Sequence, residues 1–559
     1  MSGIFSNESF LILLAINMIA AVGMNLVYVT GQLNLGQAGF LAVGAYTTAV
    51  LDAGWDWPLP ASLAAGAVAA SLVALPVALG ANRVRGIYLI MGTLAVGEVV
   101  RVAIGNVEAV GGLQGFSGHR PVTLAGVLAT LAVVLVIANL VMAGPLGLRM
   151  RSIFDDEDAA ASTGVATRRV KVVSVVISAA AVAVAGGLLA KFYLFIAPRN
   201  FGILVSFQIA LYSLIGGVHS LLGAVVGAFF VTFLLELLRG IQDIDWVPSS
   251  LHFLSSWRLV VYGLLVMWLM AVLPEGLIGR RFVLALQSPL RRLRRRSVIS
   301  DVDSRREPIA SVPGSPVLEV EGVSHRFGGL VALDDVSFSV GAGEIVALIG
   351  ANGAGKTTLI DVVGGRHACQ QGSIRLRGVE VAGWRPERRA VAGIARTFQS
   401  VRMFAHLTAE EALRLGGLAT AGRPGAGVSA ILELVGLADR PDSLPGTLSL
   451  AEQRRLEIGR AFACAPHVVF LDEPSVGMND EERRELSHLV RSLREGGASV
   501  VLVDHNLDLA LAVADRVVVL DFGRVLTVAT PQEVFDDPKV REAYLGSREA
   551  VPGMGKVVP

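Results

Sequence analysis

The run Gly350-Ala351-Asn352-Gly353-Ala354-Gly355-Lys356-Thr357-Thr358 has the residue types and spacing of a polyphosphate cradle. Its glycines let backbone N–H groups close around phosphate oxygens, and the helix that follows adds the positive end of its dipole. In that arrangement Lys356 reaches the β- and γ-phosphates and Thr357 ligates Mg²⁺. Gly350, Asn352, Gly353, Ala354, Gly355, Lys356, Thr357 and Thr358 are therefore candidate binding residues for ATP, with Mg²⁺ as its companion. The flanks fit: Ile345 to Ile349 reads as a buried strand, and Leu359 to Val363 as the start of a helix.

Three further stretches carry chemistry that would act on a bound nucleotide. Val468-Val469-Phe470-Leu471 is an apolar strand that ends in two acids. Asp472 is placed to hold Mg²⁺, and Glu473 to activate or orient water for attack on the γ-phosphate. The apolar strand Val500 to Val503 leads into Asp504 and His505, and His505 would hydrogen-bond the γ-phosphate. Thr397-Phe398-Gln399 closes another apolar stretch, with Gln399 touching either the metal or the attacking water. The catalytic candidates are thus Glu473, His505 and Gln399, and the metal candidates Thr357, Gln399 and Asp472. Ser449 enters a helix through Leu448 to Glu457, where it and the helix N-terminus would bind a phosphate presented by a second ATPase subunit. Phe327 is either a surface on which adenine stacks or a core aromatic.

Positioning these groups needs an α/β framework, yet the composition does not belong to one soluble domain. The chain has 559 residues, 53% apolar and only 17% charged, with mean hydropathy +0.60. A membrane half joined to a soluble half explains this average. The net charge of +1 argues against a nucleic-acid partner. Only Cys369 and Cys464 occur, which excludes a disulfide framework. The expected division is a transmembrane domain over 1–290, a basic and Pro/Gly/Ser-rich linker over 291–316, an ATP-binding domain over 317–546 and a tail over 547–559. The linker's Arg291, Arg292, Arg294, Arg295 and Arg296 suit anionic headgroups. The expected fold is a polytopic α-helical membrane domain followed by an α/β P-loop NTPase domain.

Apolar runs long enough to cross a bilayer lie near 10–29, 33–52, 59–81, 87–105, 122–143, 172–196, 203–217, 219–238 and 258–274. The first lacks a basic flank and a cleavage site, and reads as a retained span. The run 33–52, with Gln32, Asn34 and Gln37 at its start, is either a span or re-entrant. Basic residues mark three inside loops: Arg83 and Arg85; Arg149 to Lys171; and Arg280 onward. Segments 52–58, 106–120 and 241–257 then fall outside, with Trp55, Trp57, Trp246 and Trp257 at the interfaces. Glu98–Arg101 and Glu236–Arg239 each place opposite charges on one helix face. His219 reads as a helix-break residue. The inside loop contains Asp155-Asp156-Glu157-Asp158-Ala159-Ala160-Ala161-Ser162-Thr163-Gly164, acids first and glycine last, which predicts a short helix suited to docking on a soluble partner.

With these residues in view, the soluble half resembles an ATP-binding-cassette (ABC) ATPase over about 317–546. Gly350 to Thr358 is similar to the Walker A loop, Gln399 to the Q-loop, Asp472 and Glu473 to Walker B with the catalytic glutamate, Ser475 to Asn479 to the D-loop, and His505 to the switch histidine. Phe327 matches the adenine-stacking position. The membrane half resembles permease subunits of the branched-chain amino-acid importers at Gly31 to Ala38, Gly97 to Arg101, Glu157 to Gly164 and Leu273 to Leu277. Arg396 to Gln399 and Ala543 to Gly546 are similar to the ATPases of that branch. The resemblance implies a fused permease–ATPase subunit in the cytoplasmic membrane, with the ATPase domain on the cytoplasmic side. It implies as partners a second permease subunit, a second ATPase subunit and an extracytoplasmic solute-binding protein. It also implies that Glu157 to Gly164 is a coupling helix docking near Gln399 to Phe404. Urea or short amides are an alternative cargo, and a non-transporting ATP-gated scaffold an alternative role. One departure stands out: Ala451 and Glu452 occupy signature positions where the family usually has glycine and glutamine. The added methyl and charge predict a weakened site for the partner's phosphate.

Overall fold

The computed structural model describes residues 8–82, 84, 86–118, 120–239, 257–273, 275–279, 316–420, 423, 425–534, 536–538 and 540–541. Arg83, Arg85, Trp246, Pro274, Arg280, Arg281, the Arg291–Arg296 cluster with most of the linker, and Ala543 to Gly546 with the tail lie outside the described residues, as does the side chain of Arg239. The chain forms two compact units, one of residues 1–154 and 168–300, the other of 155–167 and 301–559.

The first unit is helical. Its elements are α1 (Glu8–Tyr28), α2 (Gln37–Trp55), α3 (Leu59–Ala81), α4 (Ile87–Gly105), strand β1 (Phe116–Ser117), α5 (Leu124–Ala143) and α6 (Pro145–Asp155). After α7 (Glu157–Ser162), which belongs to the second unit, come α8 (Thr167–Tyr193), β2 (Phe195–Ile196), α9 (Ile203–Gly216), α10 (Leu221–Arg239) and α11 (Arg258–Val272). Among the described residues six helices are long and apolar enough to cross a membrane: α1, α3, α4, α5, α8 and α10. The expected runs 33–52, 203–217 and 258–274 overlap the helices α2, α9 and α11, which are not among these six. The helix α9 has 14 residues, about 21 Å against a hydrocarbon core of about 30 Å. Small residues let the helices touch. A Cβ on Gly44 would fall 2.1 Å from the Ala183 carbonyl, and one on Gly227 2.0 Å from that of Tyr212. Without water to drive association, such close backbone contact is what holds membrane helices together.

The stretch 29–36 between α1 and α2 is irregular and mostly buried, and several of its polar groups find partners inside the unit, although Gln32 Nε2 has none among the described residues. Leu35 N–H donates to Thr93 Oγ1 at 3.1 Å and Gly36 N–H to Asn34 Oδ1 at 2.8 Å. Gln37 Nε2 donates to Ser178 Oγ at 3.2 Å. The expected run 33–52 begins as an irregular lead-in and continues as a 19-residue helix. Glu98 and Arg101 do neutralise each other, at 2.7 Å. His219 stands in the break between α9 and α10, edge-on to Phe154 at 4.6 Å.

In the expected connector 52–58, α2 continues to Trp55 and only 56–58 is irregular. Asp52 is inside the packing, 1% exposed, with Lys191 Nζ of α8 at 2.7 Å and 7% exposed. Both acid oxygens lack an aligned hydrogen-bond donor. A buried carboxylate is tolerated when a cation neutralises it nearby.

The second unit holds two sheets. The four-stranded antiparallel sheet has the order β4-β3-β6-β7, from β3 (Leu318–Phe327), β4 (Leu330–Val340), β6 (Gln371–Leu376) and β7 (Val379–Glu380). The six-stranded sheet has the order β12-β11-β5-β10-β9-β8. Its members are β5 (Ile345–Ile349), β8 (Ile394–Arg396), β9 (Val468–Asp472), β10 (Ser499–Val503), β11 (Arg516–Asp521) and β12 (Arg524–Ala529). Strands β8, β9, β10, β5 and β11 run parallel. Every residue of β5, β9 and β10 is buried, as their unbroken apolar runs require in a sheet covered on both faces. The helices of this unit are α7, α12 (Lys356–Val363), α13 (Pro386–Ala392), α14 (Ala409–Gly417), α15 (Val428–Leu434), α16 (Leu450–Ala463), α17 (Asp480–Glu495) and α18 (Leu507–Val513).

Candidate active site

The four chemical stretches leave the C-terminal ends of four adjacent parallel strands. The phosphate loop follows β5, His505 follows β10, Glu473 follows β9 and Gln399 follows β8. The parallel order places their first loop residues side by side at one sheet edge, where ligands of such sheets bind.

The loop from Gly350 to Gly355 needs its glycines for space. A Cβ on Gly350 would lie 2.1 Å from the Leu520 carbonyl, and Gly355, at φ +102°, would put one 2.6 Å from that of Ala332. Lys356 begins α12 and is buried. Its Nζ donates to the carbonyls of Gly350 at 2.7 Å and Ala351 at 2.9 Å. Burial lowers the ammonium pKa, while Glu473 and Asp472 pull it back up. Asn352 and Gly353 are exposed on the loop, Ala354 packs inward, and Thr357 and Thr358 follow Lys356 on α12.

Gln399, Glu473 and His505 meet. Gln399 Nε2 donates to Glu473 Oε2 at 3.1 Å, and His505 Nε2 lies 2.7 Å from Glu473 Oε1. Glu473 itself sits at φ +46°, a left-handed conformation that costs a non-glycine residue energy and is retained at sites the surroundings over-determine. Asp504, seen in the sequence only as the neighbour of His505, anchors both turns. It accepts from Ser475 Oγ at 2.6 Å, Ser475 N at 3.0 Å and Asn506 N at 2.8 Å.

Asp472 is 1% exposed, and neither carboxylate oxygen has a hydrogen-bond partner among the described residues. Burial pushes its pKa up to about 6, against the pull of Arg396 and with the push of Glu473 and Asp361. Thr357, Gln399 and Asp472 line one trench. An orphaned buried carboxylate beside a hydroxyl and an amide oxygen is a donor set of the kind Mg²⁺ takes. Phe327, 45% exposed, stands edge-on to His325 and His367, so it remains open to a stacking partner.

The segment from Phe398 to Arg402 is gripped by α16. Arg454 donates to the carbonyls of Phe398 at 2.6 Å and Gln399 at 2.7 Å. Arg460 donates to that of Arg402 at 2.8 Å, and Glu457 accepts from Arg402 N at 3.3 Å. These three buried charges satisfy one another and the loop together, a condition for burying them at all. Burial raises the Glu457 pKa although Arg460 and Arg454 both oppose it.

The acidic helix α7 docks on the same segment. Asp156 caps α7 by accepting from Ala159 N at 2.8 Å, and Gly164 follows its end at φ +79°. Arg402 Nη1 lies 3.3 Å from Asp156 and 3.2 Å from Asp158. Asp155 accepts from His406 N at 3.0 Å. A Cβ on Gly164 would fall 2.5 Å from that of Ala419, so the glycine is also what allows close seating.

Ser449 does not join the trench. It caps α16, accepting from Glu452 N at 3.2 Å, while Glu452 Oε2 accepts from Ser449 N at 2.7 Å. Arg440 Nη1 lies 2.8 Å from Glu452 Oε1. The bond from Ser449 N–H, followed by the charge of Arg440, holds the Glu452 carboxyl below its usual pKa. Ser449, Ala451, Arg454, Gly477 and Glu482 line a separate small cavity.

Residues 6–270 match the family described as branched-chain amino acid transport system / permease component. Residues 333–476 match the ABC transporter family, and 524–550 the branched-chain amino acid ATP-binding cassette transporter family. The chain is 38% identical over 250 residues to BraF of Pseudomonas aeruginosa, a high-affinity branched-chain amino acid transport ATP-binding protein, covering 41% of this chain and 98% of that one. It is 40% identical over 232 residues to BraG of the same organism (41% and 100%) and 35% identical over 250 residues to LivG of Escherichia coli K12 (41% and 98%). Permease match, ATPase match and the strand-end constellation lie in one polypeptide, so this chain belongs to the branched-chain amino acid ABC transporters, as a membrane permease fused to an ATP-binding ATPase whose hydrolysis is coupled to transport.

Proposed function

We propose that the chain imports branched-chain amino acids across the cytoplasmic membrane, with its ATPase unit on the cytoplasmic side. The observation that carries this reading is the seating of the acidic helix α7, from the loop between permease helices, on Arg402 and His406 just beyond Gln399. A permease loop docked beside the nucleotide trench is the connection through which hydrolysis does mechanical work.

In the proposed cycle Phe327 stacks on adenine, and Gly350 to Thr358, with Lys356, bind the phosphates. Thr357, Asp472 and Gln399 would hold Mg²⁺, which neutralises phosphate charge when bound. Glu473, oriented by Gln399 and His505, takes a proton from the attacking water, and His505 donates a hydrogen bond to the γ-phosphate. Ser449 and the N-terminus of α16 face the phosphate of a neighbouring ATPase subunit. One chain supplies one permease and one ATPase, so the working assembly includes a second of each, together with an extracytoplasmic solute-binding protein.

Uptake of labelled leucine by cells carrying the intact chain or Glu473→Gln tests the reading. Loss of uptake in the variant, at equal membrane abundance, is expected. Undiminished uptake would overturn it.

A further inference from the structure

Beyond the Gln399 loop, a second line of charge runs through the ATPase unit. Asp361, on α12 and one turn after Thr357, is 6% exposed and paired with Arg396 Nη1 at 2.6 Å. Arg396 stacks over Phe398 at 4.6 Å, and its charge bears directly on Asp472. The other oxygen of Asp361 lies 3.6 Å from Arg366 Nη1 and 3.6 Å from His367 Nε2. Arg366 in turn places Nη2 3.4 Å from Asp158 of α7. Thr357, Asp361, Arg366, Arg396 and Asp472 all line the same trench. Alternating charges therefore connect the strand end that carries Asp472 to the docked helix, without passing through Gln399.

We propose that Arg366 is a positioning residue that couples the state of the nucleotide site to helix α7, by dividing its charge between Asp361 and Asp158. Both of its contacts are longer than a tight ion pair, so neither acid holds it outright. Arg396, by contrast, is held close to Asp361. Any added positive charge near Asp472 drives Arg396 further onto Asp361. Asp361 then needs Arg366 less, and Arg366 moves toward Asp158. The reverse shift loosens α7. A shared cation converts a small change of charge at one end into a change of attachment at the other, which is a coupling free energy in the ordinary sense. Arg366 is 42% exposed, so each contact is individually weak and easily exchanged.

This inference rests on the reading of 155–167 as the transport-coupling segment, and its test does not depend on cargo. The full-length chain in lipid nanodiscs is followed by hydrogen exchange with and without a non-hydrolysable ATP analogue and Mg²⁺. In the native protein the peptide spanning 155–167 should exchange more slowly with nucleotide. In Arg366→Met, compared at saturating nucleotide, the nucleotide-induced slowing should shrink about two- to fivefold. Arg366→Lys, which keeps the charge, should restore most of it. An Arg366→Met protein whose 155–167 response equals the native one would overturn the proposal, as would a native protein whose segment ignores nucleotide. Failed leucine uptake with a normal exchange response would sink the cargo reading and leave this one standing.

Discussion

The N-termini of α12 and α16 face the same physical problem, a first turn of N–H groups with no intrahelical acceptor, and meet it in opposite ways. At α12 the N-cap is Gly355, and no side chain caps the helix. At α16 Ser449 and Glu452 form a capping box, and Arg440 steadies the carboxylate. The first end keeps its donors for a ligand. The second already holds an anion of its own, and a helix end that carries a carboxylate attracts a second anion less strongly. One chain thus contains two helix ends of unequal appetite for phosphate.

The largest expected effect falls on the open end. Glu473→Gln should reduce ATP turnover by about 10²- to 10⁴-fold, with ATP affinity nearly unchanged, as measured by steady-state hydrolysis and nucleotide binding. A variant with near-native turnover would mean that the cluster around Glu473 is not where water is activated.

Next comes Asp472, whose burial without a partner should cost stability. Its folded pKa is raised to about 6 from 3.8, so the folded state binds the proton more tightly than the unfolded chain. Its charged form therefore destabilises the fold above about pH 6, and that cost disappears as pH falls toward 4. Asp472→Asn should stabilise the metal-free protein by up to about 3 kcal/mol at pH 8 and by little at pH 4, while abolishing hydrolysis. Thermal unfolding of the two proteins in chelator across that range checks it. Equal stability at pH 8 would show that the carboxylate has a partner.

At the closed end the effects are smaller. Ser449→Ala should cost about 1 kcal/mol of stability through the lost cap, read from denaturant unfolding. Glu452→Gln keeps an acceptor for Ser449 N–H but removes the charge, so it should cost only a few tenths of a kcal/mol. Combined with Ala451→Gly, it should raise ATP hydrolysis of the assembled transporter. Unchanged hydrolysis would dissolve the contrast between the two ends.

The phosphate loop, the Asp472-Glu473 strand end, His505 and Gln399 were all visible in the residue string, because each consists of contiguous residues with a strand or helix signal attached. The short helix α7 was visible for the same reason, its acids and Gly164 being local signals. Asp52 and Lys191 were not. They stand 139 positions apart, each alone in an apolar run, and nothing local pairs them. Asp504 looked incidental beside His505, because its role is to receive N–H and O–H groups from a turn that follows a different strand. The grip of Arg454, Glu457 and Arg460 on Phe398, Gln399 and Arg402 was hidden too, since a charged helix face reads as solvated until something covers it.

Composition and local pattern alone dictated a membrane half, an ATPase half, and which groups are candidates for handling phosphate. Those properties depend on residue type and on neighbours within a few positions, where hydrophobic runs, glycine spacing and capping signals operate. The parallel order β5-β10-β9-β8 decided that these groups meet, and long-range packing decided which charges are buried, which share a cation and which helix end keeps its donors. Burial and ion pairing depend on distance in space, and only the folded chain supplies that distance.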